Sequence, residues 1–136
     1  MLGAFKEVEL STYEHPISHY YVQLVQPASD GWVSTMPTLQ AVITTHRLLL
    51  KPQTVRPRPP ASIPGAYVRR VVLNSNNLVS VELREGYQLH LQVRLYQTQP
   101  FVADLFRMMR PYARLRGRNQ IRTAEIQRII EQITAL

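Results

Sequence analysis

Arginine is the residue type with the most recognition chemistry to offer in this chain. Of 16 basic residues 14 are arginine, and against 9 acids they leave a formal charge of +7. Eleven of the arginines fall into two groups. Arg47, Arg56, Arg58, Arg69 and Arg70 surround an apolar string at 41–50, the proline-rich stretch after it and the next apolar run. Arg107, Arg110, Arg114, Arg116, Arg118 and Arg122 lie nearer the C-terminus. A guanidinium is a planar fork of donors that matches the oxygens of phosphate or carboxylate. A basic excess points to an acidic partner, either an anionic membrane or nucleic acid. Arginine-rich surfaces also follow genomic base composition, so charge alone does not choose between them.

Catalytic chemistry finds less to work with. The histidines are His15, His19, His46 and His90. His15 and His19 have i,i+4 spacing, but Pro16 between them argues against the helix that would align them on a metal. His46 falls at a chain corner, where a turn role is sufficient. His90 alternates with apolar residues, which predicts a solvent-facing position. The acids are scattered, there is no glycine-rich phosphate loop, and the absence of cysteine excludes disulfides, cysteine zinc sites and a thiol nucleophile. No catalytic constellation, metal site or cofactor is expected, and the chain reads as non-enzymatic.

The elements that must position these residues are mostly strands. Ala41–Thr44 and Leu48–Leu50 are short apolar runs joined by Thr44, Thr45 and His46, which can turn the chain through side-chain to backbone hydrogen bonds. Two strands joined so closely pair antiparallel, and this hairpin is expected at the centre of the sheet. His19–Gln26 alternates, and Trp32–Val33 either starts a strand or belongs to a loop running to Pro37. Residues 52–65 hold five prolines and read as an extended loop. Tyr67–Leu73, Leu78–Arg84 and Tyr87–Leu95 read as strands, the last two joined by a two-residue turn at Glu85-Gly86. From Pro100 the period changes. Val102, Leu105, Phe106 and Met109 share one helical face, and Pro111 stops or kinks that helix. Strands followed by segregated helices indicate an α+β layout. At 136 residues this is one domain, or one domain and a tail. No stretch reads as a signal peptide or reaches the roughly 18 apolar residues of a transmembrane helix, so a cytoplasmic setting is expected, with peripheral contact at the inner membrane face as the extension of the arginine argument.

The string Ile43-Thr44-Thr45-His46-Arg47-Leu48-Leu49-Leu50 resembles the hairpin of PH-like domains, most closely the GRAM, bacterial PH and GLUE branches. Ile63-Pro64 before the following strand, the hairpin about Gly86 and the helix from Pro100 match that superfold in order and spacing over roughly residues 18–112. The resemblance implies a bent antiparallel sheet or partly open barrel capped by a C-terminal helix. It divides the chain into a PH-like domain at 1–112 and a basic linker with a further helix at 113–136. The loop at 52–65 is long for GRAM or bacterial PH domains, although GLUE domains carry insertions, and the last helix lies beyond the usual end of the family. In PH-like domains an anionic headgroup, where one binds, meets basic residues at the open end of the sheet. That implication falls on Arg47, Arg56, Arg58, Arg69 and Arg70.

Two further segments bear on partners. Arg56-Pro57-Arg58-Pro59-Pro60 is similar to a polyproline ligand, but its register departs from a full SH3 pattern and a stiff loop is the better reading. In the last helix Ile126, Ile129, Ile130 and Ile133 form a stripe that must be buried. The stripe packs on its own sheet or on a partner. Since a barrel already capped by one helix leaves little apolar surface, a second copy of the chain or another protein is the expected cover. The function read from all this is a binding module, adaptor or scaffold for protein contact with anionic-membrane contact in addition; the alternative is a nucleic-acid-binding protein using the C-terminal arginines.

Overall fold

The computed structural model describes residues 10–34, 36–54, 58–74, 77–112 and 123–136. Its strands are β1 (Pro16–Ala28), β2 (Gly31–Ser34), β3 (Leu39–Thr44), β4 (Arg47–Pro52), β5 (Ala61–Pro64), β6 (Val68–Asn74), β7 (Leu78–Leu83) and β8 (Gln88–Gln92). Two helices follow, α1 (Thr98–Met109) and α2 (Thr123–Thr134). The sheet runs β5-β4-β3-β1-β8-β7-β6, with β2 paired to β1 beside this path. All the pairings are antiparallel. The expected α+β architecture is present.

β1, rather than the β3–β4 hairpin, is the middle of the sheet. Its first half pairs with β3 from Pro16 to Val22, and then Gln23–Val25 pairs with β8. One long strand therefore belongs to both halves of the sheet and folds them over a shared core. Tyr20, Val22 and Leu24 of β1 meet Ala41 and Ile43 of β3 there, Leu48 and Leu50 of β4, and Val79, Val81, Leu89 and Leu91 of β7 and β8.

Local chemistry sets the corners. Thr44 Oγ1 accepts hydrogen bonds from the backbone N–H of His46 and of Arg47, both at 3.1 Å, which closes the β3–β4 turn. Between β7 and β8, Leu83 N donates to the Tyr87 carbonyl at 2.7 Å, so the connection is the three residues Arg84–Gly86 rather than the expected two, and Glu85 and Gly86 in it take φ of 70° and 88°. Gly65 stands where β5 passes into β6. A Cβ there would lie 3.0 Å from the Tyr112 ring and 3.1 Å from the Met108 carbonyl, so glycine lets the end of α1 press onto this corner.

Three sequence expectations are corrected here. The proline-rich stretch contains a strand: β5 pairs with β4 over Ala61–Pro64, and it is the edge of the sheet, where proline is tolerated. The buried face of α1 is Phe101, Leu105 and Met108 with Met109, while Val102 is only partly buried and Phe106 is 49% exposed. Both stripes fit a helical period. Phe101 wins because its ring meets Tyr20 edge-on at 5.1 Å and Asp104 then reaches β1, accepting from Ser18 Oγ at 2.7 Å and Tyr20 Oη at 2.6 Å.

The third correction concerns the isoleucine stripe. Ile126, Ile129 and Ile133 are buried within the chain, and Ile130 is partly so. α2 packs on β5, and Ile129 and Ile133 join the same core as the sheet. Gln132 Oε1 accepts the backbone N–H of Ser62 at 3.0 Å, satisfying a donor on the edge strand. Tyr67 Oη donates to Glu125 at 3.1 Å, and Arg58 Nη1 donates to the Leu136 carbonyl at 3.3 Å. The reason is β5 itself: reading 52–65 as a loop hid an apolar edge that needs a cover.

Candidate docking site

With β5 covered by α2, β6 is the other end of the sheet path, and its strand neighbour is β7. Its two halves differ. The first is irregular, with a register shift between Val68 and Arg70, and carries the exposed arginines Arg69 and Arg70. Such features blunt an edge. The second half, Val71–Asn74, pairs regularly with Leu78–Val81, and Leu73 near its end is 47% exposed.

Leu73 is not alone. β8 stops at Gln92, and a one-turn 3-10 helix, Leu95–Gln97, leads into α1. Leu95 and Tyr96 on that turn are 75% and 72% exposed. Leu73, Leu95 and Tyr96 line one cleft of about 330 Å³ with Asn74, Asn77 and the first turn of α1 at Thr98, Gln99 and Pro100. The cleft lies alongside the end of β6 and has no charged residue in its lining. Thr98 Oγ1 donates to the Arg94 carbonyl at 3.0 Å, and Val93 N donates to the Asn77 carbonyl at 3.1 Å, so the segment that presents the pair is anchored at both ends. On its other side Arg94 and Tyr21 line a second cleft of about 360 Å³. Arg94 Nη1 donates to Tyr96 Oη at 3.3 Å.

A second arrangement holds the opposite end of the hairpin. Glu14 is 5% exposed, and its carboxylate accepts from Arg47 Nε at 2.8 Å, Ser11 N at 3.1 Å and the Thr44 hydroxyl. Burial alone would raise this carboxyl, but the hydrogen bonds from Arg47, Thr44 and Ser11 together outweigh it and hold Glu14 below the usual carboxylate range. Arg47 also donates to Ser62 Oγ at 3.2 Å, so the ion pair ties the N-terminal segment to β4 and β5. Beside it lies an open cleft of about 590 Å³ whose lining includes Ser11, His46, Pro64 and Tyr112.

On the outer face Ser80 Oγ lies 2.7 Å from His90 Nδ1 and accepts from Asn74 Nδ2 at 2.6 Å, and the Trp32 ring lies against His90 with centroids 4.7 Å apart and planes tilted by 56°. The expected solvent-facing histidine is thus partly covered, and burial pushes its pKa down. Burial and the hydrogen bond to Asp104 push Tyr20 up to about 12. Among the described residues no group of three His, Asp or Glu is placed to hold a metal ion, and no helix is long and apolar enough to cross a membrane.

The solution structure of the PH domain of human oxysterol binding protein-related protein 11 superposes with a TM-score of 0.55 at 15% identity, covering 81% of this chain and 91% of that one. The fold is PH-like. The solution structure of the N-terminal PH domain of human ARAP2 gives 0.53 at 9% identity over 86% and 94% of the two chains. The crystal structure of the C-terminal domain of an unknown protein from Leishmania infantum gives 0.55 at 14% over 79% and 94%. No family model matches the sequence, and no curated protein sequence matches it.

Within this PH-like domain the described arginines named from the sequence are engaged at three different places. Arg47 holds Glu14, and Arg58 reaches the last residue. Arg69 and Arg70 share Glu82, at 3.6 and 2.9 Å. Arg56 lies outside the described residues, as do Arg114, Arg116, Arg118 and Arg122 of the nucleic-acid reading. Arg107 pairs with Asp104 at 3.5 Å. The residues that sequence reading missed are Leu73, Leu95 and Tyr96. All three sat in stretches read as core strand or leading straight to the helix.

Proposed function

We propose that this PH-like domain is a non-enzymatic docking module that accepts an extended segment of a partner protein along β6. The observation that carries it is the grouping of Leu73, Leu95 and Tyr96, all exposed, around one cleft at the end of a sheet edge that no described strand covers. An extended segment laid on such an edge gains main-chain hydrogen bonds, and its alternate side chains seek apolar seats. Aromatic and large apolar side chains at the centre of a contact carry most of its energy. The contrast with β5 supports the reading. There Gln132 satisfies the Ser62 N–H and α2 packs on the strand, with Ile129 and Ile133 in the shared core, so that edge is occupied by the chain's own helix.

Selection of a random peptide display library on the domain, followed by amide chemical-shift mapping of the enriched peptides, tests this. Shifts are expected at 71–74 and 95–100, and the surface double variant Leu95→Glu, Tyr96→Glu should remove binding while the remaining spectrum stays folded. Peptides that shift residues around Trp32 or Arg58 and leave β6 unmoved would overturn it.

A further inference from the structure

We propose that Asn74, at the end of β6, selects the side chain of the docked segment that stands beside it, and that His90 sets the choice: a hydrogen-bond donor while the imidazole is neutral, an acceptor once it is protonated. This rests on the docking reading above and adds the chemistry and regulation of one contact.

Three side chains form a row of hydrogen bonds across the outer face of the sheet. Asn74 Nδ2 donates to Ser80 Oγ at 2.6 Å, and Ser80 Oγ lies 2.7 Å from His90 Nδ1. Ser80 is buried, and these are its two side-chain partners. Its oxygen takes the Asn74 proton, so its own proton goes to His90 Nδ1, which assigns the imidazole proton to Nε2. Asn74 is exposed, and its Oδ1 has no partner among the described residues. Ser80 stands on β7, the described strand that pairs with β6. The end of the carboxamide that Ser80 does not hold therefore faces away from β7, toward the open edge.

An imidazolium carries a proton on both nitrogens, so protonation turns Nδ1 from acceptor to donor. Ser80 Oγ then accepts from His90 and must turn its own proton toward Asn74, where it meets Nδ2–H, donor against donor. A half-turn of the carboxamide relieves this. Oδ1 accepts from Ser80, and the NH2 group faces the edge. Successive side chains of an added strand alternate between faces. Those beside Leu73 turn to the cleft, and one beside Asn74 meets whichever end of the carboxamide is outward. It meets an acceptor while His90 is neutral and a donor once His90 is protonated.

The positions next to His90 are uncharged: Val25 on β1, Ser80 on β7, Gln88 and Gln92 on β8, and the Trp32 ring from β2. The charged groups on the surrounding elements are Glu82 on β7, which pairs with Arg69 and Arg70 of β6, Asp30 at the β1–β2 turn and Glu85 at the β7–β8 turn. Burial lowers the His90 pKa, so the reversal falls below the ordinary value of about 6.5.

Two blocked peptides test this on the full chain, Val-Ser-Val-Ser-Val and the same sequence with O-methylserine, which accepts a hydrogen bond but cannot donate one. Binding is read from amide shifts at 71–74, at pH 7.5 and below the midpoint of the His90 ring resonances. The serine peptide should bind about two- to tenfold more tightly at pH 7.5, the worth of one hydrogen bond, and the preference should shrink at the lower pH, where both peptides accept. In the free protein, nuclear Overhauser contacts from the Asn74 NH2 group to Ser80 should be present at pH 7.5 and lost as His90 protonates. Ser80→Ala and His90→Gln should each bind both peptides with a preference that no longer changes with pH. A wild-type preference that is the same at both pH values, or a carboxamide that keeps its NH2 group on Ser80 throughout, overturns this inference and leaves the docking reading standing. Peptides that leave β6 unmoved at both pH values remove the docking reading and this inference with it.

Discussion

Replacing Glu14 by glutamine isolates the buried ion pair that holds the N-terminal segment to the sheet. The substitution keeps the size of the side chain but leaves one acceptor oxygen where the carboxylate has two. Its NH2 group must then face either Arg47 Nε or the Ser11 N–H, donor against donor. Net hydrogen bonds to a charged group are worth about 1.5–3 kcal/mol each, and Arg47 keeps part of its water, so a loss of about 2 kcal/mol at pH 7 is expected. For a chain of this size that is roughly 6–8 °C in Tm. Glu14→Ala, which also leaves the Thr44 hydroxyl only the longer contact to the Arg47 carbonyl at 3.3 Å, should cost about 3–4 kcal/mol. The pH dependence has a definite sign. Glu14 titrates lower in the folded chain than in the unfolded one, so its contribution is complete above the unfolded value of about 4.3 and is lost as pH falls through the folded value. The gap between wild type and Glu14→Gln should therefore be widest at neutral pH and close in acid. Urea denaturation of both proteins across pH 3–7 measures it. A gap that stays constant over this range, or equal stability at pH 7, would refute the reasoning.

Three further perturbations follow from the packing. Ile133→Ala on α2 removes a fully buried side chain and should destabilise by about 2–4 kcal/mol, and a chain ending at Tyr112 should aggregate, because β5 loses its cover; light scattering that finds the shortened chain a folded monomer would contradict this. Gly65→Ala forces a Cβ against the Tyr112 ring and the Met108 carbonyl, and a cost of about 1–3 kcal/mol by thermal unfolding is expected. The single tryptophan, Trp32, lies against His90, whose pKa burial lowers, so its fluorescence should fall as the imidazole protonates, with a midpoint below the ordinary value of about 6.5. A midpoint at or above that value would sink the assignment. For the same reason the folded form holds that proton less readily than the unfolded one, and His90 contributes stability above pH 6.5 that declines below it.

Much of the sheet was legible because its corners are chemically explicit. Thr44 bonds the two N–H groups that follow it, and Glu85-Gly86 takes the two positive φ values, so the hairpins at both places followed from residue type. β5 was not legible, since three residues between Pro60 and Pro64, with Pro64 as the fourth of the strand, show no period of their own; the strand exists because β4 offers it an edge and α2 covers it. The isoleucine stripe was read correctly as buried surface and given the wrong cover for that reason. The exposed face at Leu95 was hidden by an alternation that continues past the strand. A signal was available. A two-residue turn at Glu85-Gly86 sets Gln88 against Leu83, and the observed register is one residue off, with Gln88 on Glu82 and Gln92 on Leu78; in either register a partner for Leu95 would fall between Asn74 and Leu78. The partners of the arginines could not be read at all, because Glu14 and Arg47 are 33 positions apart and meet only through the fold.

Hydrogen exchange on the two edges of the sheet tests the central claim most directly. If β5 is closed by α2 and β6 is open, the Ser62 amide should be protected nearly as well as the core. Alternate amides in Val71–Asn74 should exchange within the fastest class of strand amides, and they alone should slow when a docked peptide is present. Protection of every β6 amide in the free protein, or exchange at Ser62 as fast as in a loop, would contradict the account.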